Sequence, residues 1–177
     1  MRSARVLTGC SIVAVVFVVT TGGAGSPSSS NPRVAKRLIG TWQLVSFESN
    51  DQENPRVRGA HPTGLISYDA TGHMAVQIMP DRARQRFTGA LSPVFAGPQP
   101  TPEEALDAVS GYTAYFGTYV IDERTSSVTH HRLGNIDPGA LGDFVRRYAF
   151  ATDDRLILTP VENQSLRIIR TIWERLK

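Results

Sequence analysis

The sequence lacks the features that mark several large classes of protein. Its 177 residues include one cysteine, Cys10, which excludes an intramolecular disulfide and any metal site built from several cysteines. The formal charge of +3 is not gathered into a basic stripe, so no nucleic-acid partner is expected. There is no glycine-rich phosphate loop, internal repeat or heptad pattern, and no cofactor is expected. With 41% hydrophobic and 20% charged residues, the chain has the composition of one globular domain.

The first 25 residues are predicted to be a signal peptide. Arg2 and Arg5 precede an apolar run at 11–19, and small residues at 23–25 follow, as at a signal-peptidase site. The run is short for a transmembrane helix. The alternative is an uncleaved anchor, and only in that case would this segment hold the protein at a membrane. In either case the folded part is expected to be exported, whether secreted, periplasmic or in the cell envelope.

Cys10 lies in a different motif of the same segment. Residues 7–10 match the box that precedes a lipid-modified cysteine, but the apolar run follows this box instead of preceding it, so the match is interpreted as accidental. Removal of residues 1–25 leaves 17 basic and 16 acidic residues, a net charge of +1, and no cysteine. Residues 26–36 are predicted to be a flexible linker, and residues 37–177 a single domain.

Most of this domain alternates apolar and polar residues with the period of two that is typical of strands. Gly72 suits the positive φ of a hairpin turn. One helix is predicted to begin at Thr101, because Thr101, Pro102 and Glu104 form a capping-box sequence. The stretch Asp81–Pro100 before it has the length of a functional lid or a disordered loop. Eight strands are predicted, over residues 42–49, 64–68, 73–79, 115–121, 127–133, 144–150, 155–159 and 166–175.

Eight short, sequentially connected strands favour an all-β fold, an up-and-down antiparallel barrel with the helix and the long loop between strands three and four. Pairing of the last strand with the first removes the exposed edges. A barrel of this size is either filled with side chains or holds one small ligand.

Five motifs in order resemble those of the bacterial lipocalin-like domain family. They are LIGTWQLVSF at 38–47, DATGHM at 69–74, YFGTY at 115–119, VTHH at 128–131 and WER at 173–175. The resemblance implies a lipocalin-like barrel with a central cavity and leaves the ligand open. Closure would make Trp42 and Arg175 neighbours, with the guanidinium stacked on the indole and Trp173 in the same cluster. These three are interpreted as structural.

The inward faces of the strands define the candidate binding residues. Most are apolar or aromatic with polar tips, which is the usual composition of a small-molecule pocket. A buried Arg146 would need an anion, which a carboxylate on the ligand would supply. In the alternative, Arg146 extends to the rim of the barrel and its guanidinium is solvated there. The predicted ligand-binding residues are Met74, Val76, Tyr115, Tyr119, His130, Arg146 and Tyr148.

Three hypotheses for function remain open. The first is binding or carriage of a small hydrophobic molecule, with or without a carboxylate. The second is a cofactor-free isomerase or cyclase with Tyr119 and His130 as acid and base and Arg146 holding an oxyanion. The third is a filled barrel that acts as an interaction module in the envelope.

No metal site is expected, since adjacent His130 and His131 point to opposite faces of a strand. The alternative to a functional role for His130 is a neutral core histidine that is hydrogen-bonded to a tyrosine or to backbone. The oligomeric state is left open.

Overall fold

The computed structural model, which describes residues 32–49, 58–94, 97–161 and 168–177, is a closed antiparallel barrel of eight strands in sequential order. The predicted fold class and strand number are therefore confirmed. The helices are α1 (Pro32–Leu38) and α2 (Pro102–Val109). The strands are β1 (Gly40–Ser49), β2 (Thr63–Tyr68), β3 (His73–Met79), β4 (Thr113–Asp122), β5 (Ser127–Asn135), β6 (Gly142–Thr152), β7 (Arg155–Pro160) and β8 (Ile168–Arg175).

Helix α1 corrects the predicted linker, because it begins at Pro32, inside the segment 26–36. Leu38 is 1% exposed, and Val34, one turn earlier on the same face, packs against the barrel core. The Trp42 indole also donates to the Leu38 carbonyl at 2.9 Å. Composition alone suggested a linker, but these contacts with the barrel fix the segment as a helix. The predicted signal peptide, Cys10 and the rest of the linker lie outside the described residues.

The hairpin glycine and the helix capping box that the sequence predicts are both present. Gly72 has φ of 90° in the β2–β3 hairpin. At α2, the Thr101 hydroxyl accepts from the Glu104 N–H and the Glu104 carboxylate accepts from the Thr101 N–H, which is the predicted capping box.

The stretch Asp81–Pro100 is tied to α2. The Arg82 guanidinium pairs with the Asp107 carboxylate at 2.6 Å, and the Thr88 hydroxyl donates to Glu104 at 2.7 Å. Because Glu104 also caps α2, one buried carboxylate joins the helix to the preceding loop. In the described part of the chain, no helix is long and apolar enough to cross a membrane.

The strand directions define two ends of the barrel. Helix α1, the β2–β3 hairpin and the β4–β5 and β6–β7 turns lie at one end, which we call the closed end. Helix α2 and the β5–β6 turn lie at the other, the open end. The buried residues on the strands point to the interior between them, and this arrangement positions the site described next.

Candidate functional site

The inner face of the barrel carries most of the predicted ligand-binding residues. Tyr115, His130 and Arg146 lie on adjacent strands β4, β5 and β6, and each is at most 7% exposed. Met74 and Val76 are buried beside them on β3, whereas Tyr119 and Tyr148 are half-buried. The alternation of strand side chains places these residues on one face, as the sequence pattern predicted. Whether they touch a ligand stays a prediction.

His130 is held between two tyrosine hydroxyls in the interior. Its Nε2 lies 2.8 Å from the Tyr68 hydroxyl and its Nδ1 lies 2.9 Å from the Tyr115 hydroxyl. All three side chains are buried, with His130 0% exposed. Tyr68, the last residue of β2, was not predicted as a site residue. Its place in a strand pattern indicates only a core aromatic residue. Its hydrogen bond to His130 on β5 depends on how the barrel closes.

Burial and charge keep His130 neutral. Desolvation, followed by the charges of Arg146 and Arg132, holds the pKa of His130 well below its usual value. Burial, followed by the neighbouring Tyr115, raises the pKa of Tyr68 well above its usual value. His130 and Tyr68 are therefore both uncharged at neutral pH. This is the alternative that the sequence left open for His130, a neutral core histidine bonded to tyrosine.

Arg146 brings a positive charge next to this cluster. Its guanidinium lies 4.4 Å from the centre of the Phe144 ring, and the side chain is 7% exposed. Its Nε and Nη1 are buried and have no hydrogen-bond partner among the described residues. Buried guanidinium N–H groups ordinarily have acceptors, since leaving one unsatisfied costs about 1 to 3 kcal/mol. The rim position considered from the sequence does not occur, because Arg146 is buried.

Two further arginines, Arg132 and Arg58, lie at the open end of the barrel. Arg132 lies 5.0 Å from the Phe144 ring and donates to the carbonyls of the β5–β6 turn. Arg58 lies 4.5 Å from the Phe47 ring, donates to the Gly111 carbonyl at 2.7 Å, and has a pKa lowered by burial. Sequence reasoning missed both, because neither lies in a motif. Both donate to backbone at the open end of the barrel.

Tyr119 and His130, the candidate acid and base, have different hydrogen-bond partners. Tyr119 and His130 are direct neighbours in the β4–β5 register, but the Tyr119 hydroxyl donates to the Asp69 carbonyl at 2.7 Å, on the hairpin at the closed end. Its ring packs edge-on against Tyr68. Burial, then the charge of Asp69, raises the pKa of Tyr119. Tyr119 therefore supports Tyr68 instead of facing His130 through its hydroxyl.

The closed end of the barrel contains the predicted structural cluster. The Arg175 guanidinium lies 4.1 Å from the Trp42 ring and donates to the carbonyls of Arg37 and Ile39 at the end of α1. Trp173 is 2% exposed, and its indole donates to the Thr171 hydroxyl at 2.8 Å. Tyr148 points towards this end, with its ring 5.9 Å from Phe150. These contacts fix the barrel floor.

Other features of the described residues are separate from this cluster. No group of three or more His, Cys, Asp or Glu side chains is placed to hold a metal ion in the described part of the chain. A surface cavity of about 670 Å³ lies on the loop before α2, lined by Arg84, Gln85, Arg86, Phe87, Pro98 and Ala108.

This architecture is that of a small β-barrel with a buried polar cluster in an otherwise apolar interior. A family model described as the lipocalin-like domain matches residues 39–176, so the chain belongs to the lipocalin-like domain family. Among solved structures, a redesigned β-barrel is similar, with a TM-score of 0.46 and 11% identity over 84% of this chain and 100% of that chain. No curated protein matches.

Proposed function

We propose that the protein binds and carries a small, largely apolar molecule inside the barrel, with an acidic group of that molecule at Arg146. One observation carries the proposal: Arg146 is 7% exposed, and two N–H groups of its guanidinium, at Nε and Nη1, have no acceptor in the described residues. An anionic group supplied by a ligand would satisfy both. Phe144, which stacks on Arg146, and the buried Met74 and Val76 on β3 are apolar side chains of the kind that line small-molecule sites.

The catalytic alternative has less support. It requires Tyr119 to work with His130, and the Tyr119 hydroxyl is bonded to the Asp69 carbonyl instead. A binding role needs only the positions that Arg146 and the apolar side chains already have.

Native mass spectrometry of the protein purified from its own host tests the proposal. We expect wild type to retain a small molecule under gentle ionisation, and Arg146→Met to lose it. Arg147→Met is the matched control, because Arg147 is the next residue of β6 and is exposed. A bare mass for wild type, or the same bound mass in Arg146→Met, contradicts the proposal.

We also propose that the protein acts outside the cytoplasm. The order of basic, apolar and small residues in the first 25 positions supports this. N-terminal sequencing of the protein recovered from medium and envelope fractions tests it, with a start near Ser26 expected. An intact N-terminus in the cytoplasmic fraction contradicts export.

A further inference from the structure

The Tyr68–His130–Tyr115 cluster contains one more hydroxyl hydrogen than its own hydrogen bonds use. A neutral imidazole has one N–H donor and one lone-pair nitrogen. With a tyrosine oxygen within 2.9 Å of each nitrogen, one tyrosine must donate to the ring and the other must accept from it. The accepting tyrosine keeps its own hydroxyl hydrogen. This holds for either tautomer, so the cluster always has one hydrogen to donate elsewhere.

That hydrogen lies in the same region as the unpartnered N–H groups of Arg146. In the β5–β6 register Arg146 pairs with Val128, and His130 is two residues further along the same face. Diagonal neighbours of this kind are about 7 to 8 Å apart, within reach of a long side chain. The Arg146 charge also acts on both His130 and Tyr68. Neither the Tyr68 nor the Tyr115 hydroxyl has another hydrogen-bond partner in the described chain.

We propose that Arg146 and this tyrosine hydroxyl form a single site that recognises both oxygens of an ionised carboxylate, with His130 as a positioning residue. The inference rests on the proposed function and narrows its ligand to acids whose two oxygens only accept hydrogen bonds. A carboxylate pairs with the guanidinium charge and uses the remaining hydroxyl hydrogen. A carboxamide of the same shape has no charge and only one acceptor oxygen.

Isothermal titration with dodecanoate and dodecanamide tests the site. We expect wild type to bind dodecanoate at least tenfold more tightly than dodecanamide, and Arg146→Met to remove this preference. The double variant Tyr68→Phe/Tyr115→Phe is expected to weaken dodecanoate binding by about fivefold to tenfold, because either tyrosine alone can supply the hydrogen. Tyr112→Phe is the control, because Tyr112 lies just before β4 and lines a cavity that contains no residue of the cluster.

The carboxyl resonance of [1-¹³C]dodecanoate bound to wild type gives a second readout, which a purely structural role for the tyrosines would not change. We expect the bound acid to stay ionised at a lower pH than in solution, because it faces Arg146, with Arg132 on the adjacent strand β5 and the neutral His130 beside it. The double variant is expected to raise the pH at which the bound acid is protonated.

The outcomes separate the inference from the proposed function. If dodecanamide binds as tightly as dodecanoate, recognition of an acidic group at Arg146 is wrong, whereas carriage of an apolar molecule inside the barrel stands. If neither probe binds, the proposed function fails and the inference with it. Full dodecanoate affinity in a folded double variant overturns the role of the tyrosines. If the double variant does not fold, the wild-type measurement alone decides. A bound dodecanoate carboxyl group that is protonated at the same pH as in solution overturns the inference.

Discussion

At the scale of single residues, Arg146 is a buried side chain whose hydrogen-bond donors are not all satisfied by the described residues. Its stack on Phe144 contributes about 0.5 to 2 kcal/mol, while each unsatisfied N–H costs about 1 to 3 kcal/mol. The residue therefore does not stabilise the unliganded barrel. Buried side chains that destabilise the folded state are typical of functional sites, where stability is given up for binding or activity.

The first prediction concerns Arg146→Met. This change removes the unpaired charge and keeps an apolar side chain that fills similar space, so the free energy of unfolding of the unliganded protein is expected to rise by about 1 kcal/mol. Urea unfolding measures it, with Arg147→Met as the exposed control, expected to change little. A clear loss of stability in Arg146→Met shows that the guanidinium has a protein partner.

The second prediction concerns His130 and pH. Since the pKa of His130 is lowered in the folded state, the unfolded chain binds the proton first as the pH falls below about 6.5. The stabilisation by His130 is thus complete above that pH and is lost as the pH falls towards the folded-state pKa.

Thermal unfolding at pH 7.5 and pH 5 measures this effect. We expect the melting temperature of wild type to fall more than that of His130→Gln, which keeps hydrogen-bonding capacity without titrating in this range. His61→Gln, a change at an exposed position before β2, should behave like wild type. Equal falls for wild type and His130→Gln contradict the prediction.

At the scale of elements, an irregularity between β4 and β5 sets the position of Tyr115 relative to His130. Phe116 pairs with Gly134 but Gly117 pairs with Arg132, so Leu133 is the additional residue of a β-bulge. The bulge depends on Gly117, because a Cβ there would lie 1.9 Å from the His131 carbonyl oxygen. The strand pair that carries the polar cluster therefore requires a glycine at this point.

The third prediction is that Gly117→Ala destabilises the protein by about 1 to 3 kcal/mol, the usual cost of overpacking, because backbone must move to admit the methyl group. Urea unfolding measures the loss. Gly139→Ala is the control, since a Cβ at Gly139 meets no atom closer than 3.4 Å. Equal stabilities of the two variants would show that the bulge adapts without cost.

At the scale of the whole molecule, closure of the barrel converges on Arg175. It lies on the last strand, stacks on Trp42 of the first, and donates to two carbonyls at the end of α1. Gly40 makes room for it, because a Cβ at that position would lie 2.7 Å from the Arg175 Nη1. One planar cation thus joins the first strand, the last strand and helix α1 at the closed end of the barrel.

The fourth prediction is that Arg175→Lys lowers the free energy of unfolding by about 1 to 3 kcal/mol, because an ammonium cannot stack flat on the indole while donating to both carbonyls. Arg170→Lys is the control, since Arg170 forms an exposed pair with Glu48 of the kind that contributes at most about 1 kcal/mol. Equal losses in the two variants, measured by urea unfolding, contradict a closing role for Arg175.

The sequence by itself determined the barrel, since alternation, the Gly72 turn and the capping box at Thr101 are local signals that the fold preserves. It also placed Tyr115, His130 and Arg146 on inward faces, because strand side chains alternate. Helix α1, the Tyr68–His130–Tyr115 cluster and the unpaired state of Arg146 were decided only by the tertiary structure. Each depends on contacts between residues far apart in the chain. Alternation gives the face of the sheet on which a side chain lies, but it does not give the register or the β-bulge that brings two such side chains together.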